Sequence, residues 1–202
     1  MDRSAFAEAT GVSRETLERL DIYAAELRRW NRAINLVAPK SLDDLWRRHF
    51  LDSWQLLDLA GPGPTPWTDL GSGGGFPGLV LAACGVRDLT LVESDQRKSV
   101  FLRETARRME VTVDVRTERI ETASLTPART ISARALAPLN RLCELAAPFA
   151  MEGGVLLFPK GQDVDRELTE ATKYWKFELT RTQSLSDPRG VVLTLRKLER
   201  HD

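Results

Sequence analysis

The sequence predicts an α/β protein: a mostly parallel, seven-stranded sheet with helices on both faces, an antiparallel hairpin at its C-terminal edge and a helical extension before it. Three observations predict it. Seven short apolar runs follow residue 66, and the first five are separated by helix-length segments, the pattern of repeated β-α units. The last two runs, 177–179 and 191–195, have only TRTQSLSDPRG between them, too short for a crossover helix, so they pair as a hairpin. Ahead of residue 61 the apolar residues instead recur at helical spacing.

Taken in order, Leu17, Leu20, Tyr23, Leu27, Trp30 and Ile34 fall three or four residues apart, which predicts an amphipathic helix over 13–34. Ser41, with Asp44 three residues on, has the form of an acidic capping box for a second helix, whose apolar stripe is Trp46, Phe50, Trp54 and Leu57. The stretch GPGPTP at 61–66 cannot continue a helix. It separates a helical extension, 1–63, from a cofactor-binding domain, 64–202. The parallel strands are then expected at 67–70, 89–92, 111–115, 131–133 and 155–158.

Composition narrows the function. A chain of 202 residues that is 42% hydrophobic and 29% charged has the makings of one packed core and excludes disorder. Its 29 basic residues cancel its 29 acidic ones, so any surface for nucleic acid must be local. Cys84 and Cys143 form no C-x-x-C pair and there are only two histidines, which argues against a disulfide framework and against a metal site. A charged N-terminus and the lack of any run of about 18 apolar residues argue against secretion and against a membrane span. The expectation is a cytoplasmic monomer.

The most informative segment is WTDLGSGGGFPG, where a strand runs into Gly71, Gly73, Gly74 and Gly75 and a helix starts near Pro77. Glycines there allow positive φ and close approach of a ligand at the C-terminal end of the first strand. The next strand ends in LTLVES, which puts Glu93 twenty-two residues after Gly71, where a carboxylate accepts hydrogen bonds from both ribose hydroxyls. A nucleoside-containing cofactor follows. Gly73, Gly75 and Gly78 also satisfy G-x-G-x-x-G, so an NAD-dependent oxidoreductase is an alternative, whereas the missing G-K-[ST] excludes a P-loop. Asp69 weighs against the dinucleotide. Expected to face the ligand, it would repel a pyrophosphate by roughly 3 kcal/mol at about 5 Å and attract the α-ammonium of S-adenosyl-L-methionine.

Methyl transfer from a sulfonium is an in-line displacement that depends mainly on alignment. The fourth strand ends in TISARAL, without the Asp- or Asn-Pro-Pro-aromatic motif common for exocyclic amines, and neither cysteine is followed by the proline of a cytosine-C5 site. An acceptor with a free in-plane lone pair, such as guanine N7, needs no base and is compatible with the sequence.

DLGSGGGFPG and LVES, with W-N-x-x-x-N-L and R-H-x-x-D-S before them, resemble the RsmG (GidB) family over about residues 27–195. The resemblance implies a Rossmann-like class I methyltransferase that modifies N7 of a guanine in 16S ribosomal RNA, on naked rRNA or on the small ribosomal subunit. It implies that Gly71, Phe76, Ile120, Glu121 and Arg134 contact the cofactor, beside Asp69, Gly73 and Glu93 of the loop and second strand. Arg134 suits a carboxylate or phosphate, or else a salt bridge to a neighbouring acid. Ile120 stands where such sequences often have alanine. A non-catalytic RNA-binding module with the same fold and a small-molecule methyltransferase are the remaining alternatives.

In the extension, His49, Asp52 and Ser53 share a helical face. A hydrolytic triad is disfavoured, because a nucleophile inside a regular helix has no turn to expose it. His49 and Asp52 are instead expected to form a hydrogen-bonded patch where extension meets domain, either purely structural or positioning substrate together with Arg134. Arg47, Arg48, Lys98 and Lys160 are the candidate RNA contacts.

Overall fold

A computed structural model describes residues 1–201. Its seven strands are β1 Trp67–Leu70, β2 Leu89–Val92, β3 Asp114–Arg116, β4 Ala128–Ala133, β5 Ala150–Lys160, β6 Trp175–Gln183 and β7 Val191–Arg200. They lie in the order β3-β2-β1-β4-β5-β7-β6. β1 to β5 are parallel, while β7 runs antiparallel to both β5 and β6, as the short connection requires. Strand order reverses between β1 and β4, and the crevice at such a switch point is where ligands bind in open α/β sheets. The register sets its walls: Leu70 pairs with both Val92 and Ala133, so Gly71, Glu93 and Arg134 emerge side by side at the strand tips.

The extension begins with α1 Arg3–Thr10 and α2 Arg14–Trp30. The expected helix over 13–34 is capped by the Ser13 hydroxyl but stops four residues early. Asn31 ends it, accepting from the Leu36 and Val37 N–H groups and donating to the Val37 carbonyl, and this folds the next loop back over the sheet edge. The expected capping box at Ser41 and Asp44 does not form. The Ser41 hydroxyl donates to Ala38 O, and the chain passes through a 3-10 segment, Pro39–Asp44, and a π segment, Trp46–Leu51, before α3 Asp52–Trp54 and α4 Leu56–Ala60. Single π turns inside helices recur at functional sites. β3 begins later than 111–115, because Val111 N–H is spent on Ala106 O in closing the preceding helix.

The crossover helices are α5 Gly78–Ala83, α6 Gln96–Arg108, α7 Leu139–Ala146 and α8 Val164–Ala171. The packing gives the extension its purpose. Phe6, Leu20, Tyr23 and Phe50 are fully buried in one cluster with Trp67, Leu79 and Phe101, so a single core runs across the 63/64 boundary. Among the described residues no helix is long and apolar enough to cross a membrane, and no group of His, Cys, Asp and Glu could hold a metal ion.

Candidate functional site

The glycine loop is fixed from below and from the side. Gly71 has φ +67°, and a Cβ there would meet Leu136 at 2.6 Å, so both conformation and space demand glycine. At Gly78 a Cβ would lie 2.2 Å from Leu91, which is how closely α5 packs on β2. From the extension, the Tyr23 hydroxyl donates to Gly74 O, and its ring stacks on Phe76 at 5.1 Å. Sequence periodicity marked Tyr23 only as an apolar residue; its hydroxyl was the overlooked signal.

Asp69 does not stand where the sequence suggested. It is fully buried beneath the loop and does not line the crevice: Oδ1 accepts from Ser132 Oγ at 2.9 Å and Oδ2 from Gly78 N at 3.3 Å. Burial pushes its carboxyl up to about 6. Its bearing on ligand choice therefore changes from repulsion across a pocket to occupation of a donor. A diphosphate needs free N–H groups in the loop and at the helix N-terminus. Here those of Ser72, Gly73, Gly75, Phe76 and Gly78 go to Val92 O, Glu93 Oε2, Ser72 O, Ser72 O and Asp69 Oδ2. The loop suits a ligand that asks it for few N–H donors.

A cavity of about 390 Å³ opens above the loop, with Gly71, Gly73, Phe76, Glu93, Ile120 and Glu121 among its lining residues. Glu93 accepts from Gly73 N at 2.9 Å and, through its other oxygen, from Asp95 N at 2.8 Å. A carboxylate has about four lone-pair sites, so two remain for a pair of ribose hydroxyls. Adenosine-type ligands with no diphosphate fit this donor set. The Glu121 side chain pairs with Arg141 at 2.6 Å, and both Glu121 and Ile120 line the cavity. Lys98 lines this smaller cavity too.

A second cavity of about 860 Å³ adjoins it, and the segment 134–136 lines both. Arg134 stands at the junction. Its guanidinium lies 4.8 Å from the Phe76 ring centroid and bonds Asp52 Oδ2 at 3.2 Å, Arg48 O at 3.1 Å and His49 Nδ1 at 2.6 Å. The salt bridge and the site position thus coexist in one residue. Because arginine only donates, His49 Nδ1 accepts, and Nε2–H donates to Ser41 Oγ at 2.8 Å. Burial and the charges of Arg134 and Arg48 hold the imidazole neutral, with its pKa lowered to about 3. His49 stacks on Phe76 at 4.7 Å, so Phe76 carries Tyr23 and His49 as well as Arg134.

His49 and Asp52 do meet at the extension-sheet contact, but through Arg134 rather than directly. Ser53 is fully buried and bonds only His49 O, which removes the triad geometry. The other Asp52 oxygen takes Ser186 Oγ at 2.6 Å, and Gln55 Oε1 takes Leu185 N at 2.9 Å, tying the β6-β7 loop to the extension as a wall of the larger cavity. Sequence reading missed this clasp, whose partners lie about 130 residues apart. Of the candidate RNA-binding residues, Arg47 pairs with Asp44 and Lys160 with Glu167, while Arg48 has no ion pair among the described residues. Both cysteines are inert packing groups, their thiols pushed up to about 12 by burial.

Sheet order, antiparallel C-terminal hairpin, glycine loop and acidic tip of β2 define a Rossmann-like methyltransferase fold. Solved structures agree on the fold: the O-methyltransferase of Bacillus cereus in complex with SAH has a TM-score of 0.58 at 16% identity, covering 87% of this chain and 90% of that one. The N-methyltransferase NodS of Bradyrhizobium japonicum has a TM-score of 0.56 at 15% identity, covering 89% and 98%. The chain belongs to the GidB family, rRNA small subunit methyltransferase G, whose sequence profile matches residues 16–192. Relatives called ribosomal RNA small subunit methyltransferase G are 51% identical in Rhodospirillum rubrum, over 99% of this chain and 100% of the relative. Another, from Rhodospirillum centenum, is 51% identical over 96% and 89%.

Proposed function

We propose that this chain transfers the methyl group of S-adenosyl-L-methionine to N7 of a guanine in 16S small-subunit ribosomal RNA. Family membership supports the substrate class. The observation that carries the chemistry is the junction of two cavities at 134–136, beside a neutral His49 whose two ring nitrogens are both engaged by protein partners. Asp52, the carboxylate next to it, likewise spends both oxygens on protein partners. Neither His49 nor Asp52 is free to take a proton from an acceptor at the junction, whereas guanine N7 attacks through a lone pair already in the ring plane. Bound cofactor supplies an activated methyl group; the protein aligns it.

In this reading Gly71, Gly73, Phe76, Glu93, Ile120 and Glu121 form the donor side, and Asp69 braces their loop. Arg134, held by His49 and Asp52, positions the reacting groups, and Arg48 takes a backbone phosphate. Residues 1–63 supply Arg47, Arg48, His49 and Asp52 to one wall of the acceptor side and Leu36 and Val37 to the donor side, and 64–202 supply the rest of both. The protein acts in the cytoplasm, as a monomer and without a metal, on naked rRNA or the assembled subunit.

The test is incubation with labelled S-adenosyl-L-methionine and undermethylated small subunits, followed by mapping of the modified base. Label at guanine N7 in the rRNA supports the proposal. RNA binding without transfer would instead favour a non-catalytic module.

A further inference from the structure

Behind the segment that joins the two cavities sits the Lys160–Glu167 ion pair. Lys160, at the end of β5, donates through Nζ to Ala137 O at 2.9 Å and to Glu167 Oε2 at 2.6 Å. Glu167, on α8, accepts at that same Oε2 from Leu139 N at 2.7 Å. Both side chains line the larger cavity, and only 8% of the Lys160 side chain and 23% of that of Glu167 is exposed. Each has capacity to spare. An ammonium has three N–H donors and two are spent, while Glu167 Oε1 has no protein partner among the described residues. With its charge matched by Glu167, Lys160 is poorly suited to the phosphate role read from the sequence.

We infer that Lys160 and Glu167 read the edge of the acceptor base and select guanine over adenine. The inference rests on the methyl-transfer reading. Guanine presents a carbonyl oxygen, O6, next to an N1–H donor and the exocyclic N2 amine. The remaining Lys160 N–H donates to O6, and Glu167 Oε1 accepts from N1–H. Adenine reverses both groups: its N6 amine meets the lysine donor and its N1 lone pair meets the carboxylate. A partly buried donor-acceptor pair that goes unsatisfied in this way rejects the wrong base strongly. O6 lies between N1 and N7 on the purine rim, so a base held at N1 and O6 from the Ala137–Leu139 side presents N7 along the same wall toward 134–136.

The experiment uses the full chain and small subunits reconstituted with guanine, inosine or adenine at the mapped position. Inosine keeps O6 and N1–H, so the wild-type chain methylates it within about tenfold of guanine and rejects adenine by more than about 100-fold. Glu167→Gln keeps an oxygen for Leu139 N and Lys160 but turns the free acceptor into an amide donor. It lowers kcat/KM on guanine about 10- to 150-fold and narrows the guanine-adenine preference with cofactor affinity unchanged, while melting temperature falls because the Lys160 charge loses its counterion. Adenine accepted as readily as inosine overturns the inference. So does a Glu167→Gln chain with wild-type preference, including one whose rate falls equally on all substrates. If the wild-type chain transfers no methyl group at all, the underlying reading fails instead, and the two failures are distinguishable.

Discussion

Replacing Glu93 with glutamine probes the donor site most sharply, because the structure assigns its carboxylate two duties at once. Two lone-pair sites hold the N–H groups of Gly73 and Asp95, and two remain for the ribose. Glutamine offers one acceptor oxygen and places an NH₂ where the other oxygen stood. One backbone N–H then faces a donor, which costs about 1 to 3 kcal/mol in a site this enclosed, and one ribose bond disappears while the other loses its charge. The expected loss of S-adenosyl-L-methionine affinity is about 2 to 4 kcal/mol, or roughly 30- to 700-fold in Kd by titration calorimetry. Melting should fall by several degrees in the same preparation. A Kd within threefold of wild type, with the drop in melting temperature still present, would refute the ribose assignment and leave Glu93 as a brace for the loop.

The pKa of His49 is lowered to about 3 from 6.5, so between those values the unfolded chain binds the extra proton and stability falls as pH falls, by up to about 1.4 kcal/mol per pH unit. Asp69 is raised from 3.8 to about 6, so between those values the folded chain binds the extra proton and stability falls as pH rises. The two slopes oppose one another from about pH 4 to 6; Asp69→Asn should remove one and leave melting temperature falling more steeply than wild type on acidification through that range. A Gly78→Ala chain should lose about 1 to 3 kcal/mol in chemical denaturation, since its Cβ would lie 2.2 Å from Leu91 and 3.0 Å from Asp69 Oδ2. Tyr23→Phe strips the hydroxyl from Gly74 O and should cost about 1 kcal/mol of stability, together with a measurable rise in cofactor Kd. Arg134→Lys cannot reach His49, Asp52 and Arg48 O as one planar fork, so kcat should fall at least tenfold while rRNA binding by filter retention stays near wild type.

The sheet was legible because each of its strands carries its own local signature. Alternating apolar runs, a connection too short for a crossover helix and a glycine-rich turn each act within a dozen residues, so they survive in the sequence alone. The same holds for Gly71, Glu93 and Arg134, whose place at neighbouring strand tips follows from topology. Asp69 was read wrongly in one respect: its position at the strand end was right, but whether a side chain there points up at a ligand or down under the loop depends on Ser132, 63 residues away. Lys160 looked like a free surface cation until Glu167 was placed beside it. Helical periodicity placed His49 and Asp52 on one side of the chain, yet no direct bond joins their side chains. What links them instead is Arg134, more than 80 residues further along the chain.

In the proposed function the smaller cavity holds the methyl donor and the larger one, across Arg134 and Leu136, holds the acceptor. A crystal of the chain grown with S-adenosyl-L-homocysteine tests this most directly. Ribose hydroxyls should lie on Glu93, adenine beside Ile120, and sulfur at the junction with the larger cavity. Adenosine lodged among Arg48, Lys160 and Arg189 in the larger cavity, with the space above Gly71 and Gly73 unfilled, would contradict it.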